Sequence, residues 1–130
     1  MCNAARFATV RSVRRTVLIV DDHGAFRAAA RALLEASAFD VVGEAVDGGS
    51  ALAAVAKLSP DIVLLDIQLP DLDGFAVAER LADDHAPLAI VLTSSRSATS
   101  FRRRLAANPE WSFIAKSELS GEALAAAVAA

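Results

Sequence analysis

From Thr16 onward, short β-branched apolar runs alternate with longer Ala-rich stretches, the pattern of an α/β fold with a parallel sheet. Five such pairs follow one another. The spacing predicts strands at about 16–20, 40–45, 61–65, 88–93 and 111–115, and helices at about 24–37, 49–58, 73–84, 97–107 and 118–129. Val17-Leu18-Ile19-Val20, Ile62-Val63-Leu64-Leu65 and Ile90-Val91-Leu92 are nearly continuous apolar runs, as strands covered on both faces require. In the first predicted helix, Phe26, Ala30, Leu33 and Leu34 recur at helical spacing, while Arg27, Arg31 and Glu35 fall on the other face. That helix is expected to pack on the sheet by one stripe.

The breaks between elements have local causes. Asp47-Gly48-Gly49-Ser50 is turn chemistry before a helix, with Ser50 or Asp47 as the cap. Pro60 restricts Ser59 and ends the second helix. Pro70-Asp71-Leu72-Asp73-Gly74 reads as a loop whose Asp73 caps the third helix, and Ala86-Pro87 and Asn108-Pro109 stop helices three and four. No internal repeat or linker divides the chain, and 130 residues suffice for one domain with a real core. The expected organisation is a flexible basic tail over residues 1–15 followed by one domain over 16–130.

Composition narrows the function classes. The chain is 55% hydrophobic, but 30 of those residues are Ala, and no uncharged apolar stretch approaches the roughly 18–20 residues that span a bilayer. The N-terminus carries Arg6, Arg11, Arg14 and Arg15 without an apolar segment of signal-peptide length. A cytoplasmic protein with no membrane partner is expected. Cys2, the single cysteine, cannot form an internal disulfide. Residues 1–15 hold four Arg and no acid, so of the net −3 the remaining 115 residues carry −7. An acidic body argues against direct nucleic-acid binding, which needs clustered cations.

A polar group follows each of four short apolar runs: Asp21-Asp22, Asp66, Thr93 and Lys116. With parallel strands all of them emerge at one edge, where open α/β sheets bind ligands. In a flavodoxin-like (βα)5 three-layer sandwich of strand order 2-1-3-4-5, strands one and three are neighbours about 4.8 Å apart. Asp22 and Asp66 are then close enough for one metal ion to bridge them. Crowded carboxylates repel one another unless a cation compensates, and hard oxygen ligands favour Mg²⁺. Asp66 is the candidate nucleophile, since a carboxylate can attack phosphorus to form an acyl phosphate. Asp21 and Asp22 would hold Mg²⁺ directly or through water. Lys116 would give a point charge to the phosphoryl oxygens and pair with Asp66 beforehand. Thr93 would donate its hydroxyl to a phosphoryl oxygen.

This ordered set resembles the response-regulator receiver domain of two-component signalling, over about residues 16–129. The resemblance rests on Val17-Leu18-Ile19-Val20-Asp21-Asp22-His23, on Asp61-Ile62-Val63-Leu64-Leu65-Asp66-Ile67-Gln68-Leu69-Pro70 with Leu72-Asp73-Gly74, and on the spacing from Asp66 to Thr93 and Lys116. It implies that Asp66 accepts a phosphoryl group from a sensor histidine kinase or a phosphotransfer protein. It further implies a backbone-carbonyl metal ligand at Ile67, a rotamer switch at Phe113 that follows Thr93, and tuning of acyl-phosphate lifetime by Gln68 and Ser95. The output would be a changed surface on helix four, strand five and helix five that engages another protein, with a phosphorylation-dependent homodimer as one form. Such a protein is a switch, catalysing at most its own phosphorylation and dephosphorylation. The first strand and acidic pair resemble the subgroup that carries a helix-turn-helix output domain. No such domain follows within this sequence, so a stand-alone regulator is expected. Two departures stand out: Ser117 replaces the proline common after the lysine, and Asn108-Pro109-Glu110-Trp111-Ser112 replaces the usual Gly-Ala before strand five.

Two other classes remain compatible with the residues. One is a phosphate-independent interaction module that keeps the fold. The other is a small metal-dependent phosphatase or phosphotransferase, weakened by Gln68 where a general acid would stand. Six further residues read as bland features: His23 as a solvated turn residue, His85 as part of a polar loop, Trp111 as a rim contact, and Arg102-Arg103-Arg104 as a solvated or partner-facing surface.

Overall fold

The computed structural model describes residues 14–84 and 87–129. Strands β1 (Arg15–Val20), β2 (Phe39–Ala45), β3 (Ile62–Asp66), β4 (Ala89–Ser94) and β5 (Ser112–Ala115) form one parallel sheet in the order β2-β1-β3-β4-β5. Between and after them run helices α1 (Gly24–Glu35), α2 (Gly48–Leu58), α3 (Gly74–Asp84), α4 (Arg102–Ala107) and α5 (Gly121–Ala127). The order and the parallel pairing are those predicted from the apolar runs.

Side chains alternate across each strand, and this divides the core in two. Val17, Ile19, Ile62, Leu64 and Val91 pack with Ala30 and Leu34 of α1 and Leu124 of α5. Leu18, Val20, Val63, Leu65 and Leu92 pack with Val55 of α2, Phe75, Val77 and Leu81 of α3, and Trp111. The three central strands are therefore covered on both faces, which explains their lack of alternation in sequence. No described helix is long and apolar enough to cross a membrane.

Several local expectations change. Leu33 is 45% exposed, so the α1 stripe narrows to Ala30 and Leu34 with Phe26 at its margin. Trp111 is buried in the core with its ring 6.2 Å from that of Phe75; it is no rim residue, because the chain after Asn108 turns inward before β5. The expected fourth helix is a 3-10 turn at Ala98–Phe101 followed by the single six-residue α4. The expected fifth begins as a 3-10 turn at Lys116–Glu118, and α5 starts only after Ser120, whose Oγ accepts from Ala123 N at 3.0 Å. Asp47 caps α2 by accepting from Ser50 N at 2.8 Å, and Asp73 Oδ1 accepts from Phe75 N at 2.7 Å. Strand β1 begins at Arg15, and Arg14 meets Asp40 Oδ1 at 2.8 Å; the rest of the expected tail and His85 lie outside the described residues.

Candidate functional site

Register builds the site. Val20 pairs with Leu65 across β1 and β3, Asp66 with Thr93 across β3 and β4, and Ser94 with Ala115 across β4 and β5. Asp21, Asp66, Thr93 and Lys116 therefore reach the carboxyl edge of the sheet at nearly one level. The side chains of Asp21 and Asp66 are 0% and 3% exposed, and that of Lys116 16%.

Each buried carboxylate is held by a turn of its own loop. Asp21 Oδ1 accepts from His23 N at 2.8 Å, and Asp66 Oδ1 accepts from Gln68 N at 3.0 Å, as Asx turns do. Their second oxygens face Lys116, whose Nζ lies 2.6 Å from Asp21 Oδ2 and donates to Asp66 Oδ2 at 3.3 Å. The expected Lys116–Asp66 pair is thus a shared one, with Asp21 the nearer partner. The 2.6 Å contact is an ion pair outside hydrogen-bonding angles, so Asp21 Oδ2 has no hydrogen-bond partner. The Phe26 ring sits 4.7 Å from Nζ and backs the ammonium with a π face.

Electrostatics sets the two acids apart. Burial works to raise the Asp21 carboxyl, but Lys116 and the His23 amide outweigh it and hold it below its ordinary value. Burial raises the Asp66 carboxyl, helped by the charge of Asp21, and here Gln68 and Lys116 do not compensate. Burial disfavours the Lys116 ammonium, yet the two carboxylates raise it overall. Asp66 is the acid whose negative charge is least satisfied.

Thr93 Oγ1 is buried with no hydrogen-bond partner. Its neighbours are otherwise placed: Ser94 Oγ accepts from Arg96 N at 3.0 Å, and Ser95 is exposed. Gln68 is exposed too, and a bridge joins it to Asp73. The Ile67 carbonyl, expected as a metal ligand, accepts from Gly74 N at 2.8 Å, a bond that uses one of its two lone pairs. Phe113 is half-buried, 6.1 Å from Phe101.

Sequence reasoning passed over two contributors. His23 Nδ1 lies 3.0 Å from Asp21 Oδ1 and 3.1 Å from Asp22 Oδ1; only its place beside the acidic pair signalled this. Asp71 accepts from Gly48 N and Gly49 N at 2.7 and 3.0 Å, tying the loop after β3 to the start of α2. A distant loop acid leaves no local signal.

Asp21, Asp22, His23 and Asp66 each offer a ligand atom, all within 4.8 Å of one another. An unmet buried polar atom costs about 1–3 kcal/mol, and Thr93 Oγ1 is such an atom at this edge. Three carboxylates with one lysine fit a divalent cation of hard-ligand preference.

Comparison with known proteins agrees with this geometry. A family model described as the response regulator receiver domain matches residues 17–129. A Pseudomonas aeruginosa protein named as a transcriptional regulator is 39% identical over 113 residues, 87% of this chain and 55% of that one. The Bordetella pertussis protein named as the transcription regulator of virulence factors BvgA is 36% identical over 113 residues, 87% of this chain and 54% of its own. The chain thus spans about half the length of these relatives. Among solved structures, the signal receiver domain of the response regulator NarL from Mycobacterium tuberculosis superposes with TM-score 0.74 at 30% identity, covering 88% of this chain and 96% of that one. A LuxR-family two-component response regulator from Aurantimonas gives TM-score 0.72 at 26% identity, covering 80% and 75%.

Proposed function

Because the chain belongs to the response regulator receiver domain family, we propose that it is a phosphoacceptor switch in which Asp66 takes a phosphoryl group from a phosphohistidine of a sensor kinase or phosphotransfer protein. The observation that carries this is the state of Asp66: buried, less compensated than Asp21, and 3.3 Å from the only lysine at the edge among the described residues. An Asp66 carboxylate oxygen forms the new bond to phosphorus as the phosphorus–nitrogen bond of the donor breaks, and the imidazole, which carries a proton on its other ring nitrogen, leaves as the neutral ring. A Mg²⁺ bound by Asp21, Asp22 and Asp66 would neutralise charge on the transferring group. Lys116 then exchanges carboxylate contacts for phosphoryl oxygen, and Thr93 Oγ1 gains the acceptor it lacks. Positioning and charge neutralisation are most of what such a transfer asks of the protein.

The signal would leave through β4 and β5. Thr93 pairs with Ile114, next to Phe113, and Phe113 meets Phe101 ahead of α4. A shift at Thr93 therefore has a packed route to the surface of α4, β5 and α5, where an output protein or a second copy would dock.

The test is intact mass after incubation with Mg²⁺ and acetyl phosphate. One base-labile phosphoryl adduct on the wild type, absent from folded Asp66→Asn, is the expected result. An adduct that persists in Asp66→Asn, or none on wild type, overturns the reading.

A further inference from the structure

We propose that His23 is a nitrogen donor to the carboxylate site, so that the site accepts imidazole-preferring divalent ions such as Ni²⁺, Co²⁺ and Zn²⁺ as well as Mg²⁺. The proposal rests on the reading of Asp21, Asp22 and Asp66 as the cation-holding acids, and adds a fourth donor with a different preference.

The geometry is specific. His23 Nδ1 is 3.0 Å from Asp21 Oδ1 and 3.1 Å from Asp22 Oδ1. Adjacent donors around an octahedral ion with bonds of about 2.1 Å lie about 3.0 Å apart, so the nitrogen stands one coordination edge from each oxygen. Without a cation Nδ1 hydrogen-bonds Asp21 Oδ1 alone and leaves Asp22 Oδ1 an ion-pair contact only, whereas a cation between the three atoms serves all of them. The ring has no competing task in the helix: His23 occupies the N-cap position of α1, extended at φ −94° and ψ 108°, yet makes no side-chain cap bond. Its side chain is 68% exposed, which leaves the approach open. Meanwhile the backbone N–H of His23 donates to Asp21 Oδ1 at 2.8 Å, and Arg27 Nη1 donates to Asp21 O at 2.7 Å while its Nε meets Glu44 at 2.9 Å. The loop carrying the two acids and the imidazole is therefore braced from β2.

Donor chemistry gives the consequence. Carboxylates alone favour hard ions, while imidazole favours the later first-row metals, whose affinities rise from Mn²⁺ toward Cu²⁺. Nitrogen donation should thus alter selectivity far more than it alters Mg²⁺ affinity.

The experiment is calorimetric titration of the full chain with MgCl₂ and NiCl₂, with Cys2→Ser as the common background to remove thiolate binding. His23→Asn and Asp66→Asn are compared with that parent. The expected result is a fall of about tenfold or more in Ni²⁺ affinity in His23→Asn, Mg²⁺ affinity within about twofold, and loss of both ions in Asp66→Asn. Equal Ni²⁺ affinity in parent and His23→Asn overturns the proposal, as does Ni²⁺ binding that survives Asp66→Asn. Mg²⁺ binding that Asp66→Asn abolishes leaves the carboxylate reading standing even then. Absence of Mg²⁺ binding in the parent overturns that reading, and this proposal with it.

Discussion

Arg104 reaches from α4 to Asp73 in the loop before α3, Nη2 to Oδ1 at 2.8 Å, and its guanidinium lies 4.0 Å over the Phe75 ring. Asp73 caps α3 with the same oxygen and bridges to Gln68, whose amide holds Asp66. One side chain of the arginine run thus joins the shortest helix to the loop that leaves the central acid.

Arg104→Ala should cost about 1 kcal/mol in urea unfolding, the sum expected for a half-exposed ion pair and a cation over an aromatic ring. Arg102→Ala, on an exposed neighbour, should change stability by less than about 0.5 kcal/mol. Equal effects from the two would remove Arg104 from its special place.

Lys116 and Asp66 should respond to removal with opposite signs. Lys116→Met leaves two buried carboxylates without their cation and should cost about 3–5 kcal/mol. Added Mg²⁺ should recover part of that loss, stabilising the variant more than it stabilises wild type. Asp66→Asn relieves repulsion from Asp21 and should be neutral or stabilising by about 1 kcal/mol at neutral pH. Chemical denaturation with and without Mg²⁺ measures both.

Two glycines provide a steric contrast. A Cβ on Gly74 would stand 2.5 Å from Asp66 O and 2.6 Å from Ile67 Cα, both backbone, whereas one on Gly43 would crowd the Leu58 side chain, Cδ1 at 2.7 Å, and touch Leu18 Cδ1 at 3.4 Å. Gly74→Ala should cost about 1–3 kcal/mol and weaken Mg²⁺ binding by displacing the Asp66 loop. Gly43→Ala should cost under about 1 kcal/mol, because the exposed Leu58 side chain can turn aside. Melting curves and Mg²⁺ titration of the two variants decide this.

Glu44 should confer acid sensitivity. Hydrogen bonds from Arg31 and Arg27 hold it below its ordinary value of 4.5. A depressed acid stabilises the fold above its unfolded pKa and loses that contribution as pH falls through its folded one. Wild type should therefore exceed Glu44→Gln by about 0.5–1 kcal/mol near pH 7, and the gap should close as pH falls below the ordinary value of 4.5. A gap that widens in acid would contradict the assignment.

Much of this molecule is legible in its sequence, for a physical reason. Strands buried on both faces must be apolar throughout, so β1, β3 and β4 announce themselves, and the first polar residues after them are those at the sheet edge. Asp21, Asp66 and Thr93 are found this way, and Lys116 follows the shorter run Phe113-Ile114-Ala115. What depends on packing between distant segments is not legible. Leu33 fits a helical stripe but is exposed because Ala30 and Leu34 already fill the contact with the sheet. Trp111 reads as a rim contact, but Phe75 forms a wall for it. The breaks before α4 and α5 follow no proline or glycine rule; 3-10 turns serve as short connectors set by the surrounding packing. The Ile67 carbonyl and the His23 ring are directions in space, and a sequence carries no directions.

The loops flanking Asp66 and Thr93 differ in how firmly they are closed. On the β3 side, Ile67 N holds Thr93 O, Gly74 N holds Ile67 O, and Asp71 clamps the start of α2. On the β4 side, residues 95–100 are exposed and held through near neighbours, from Arg96 N to Ser94 Oγ, Ser100 N to Ser97 O and Arg102 N to Thr99 O. Mechanically, the pocket has one stiff wall and one compliant wall, and a load wedged between them moves the compliant one. Because Arg104 ties α4 to the stiff side, a displacement of the compliant wall would pivot α4 about that contact and change its orientation at the surface.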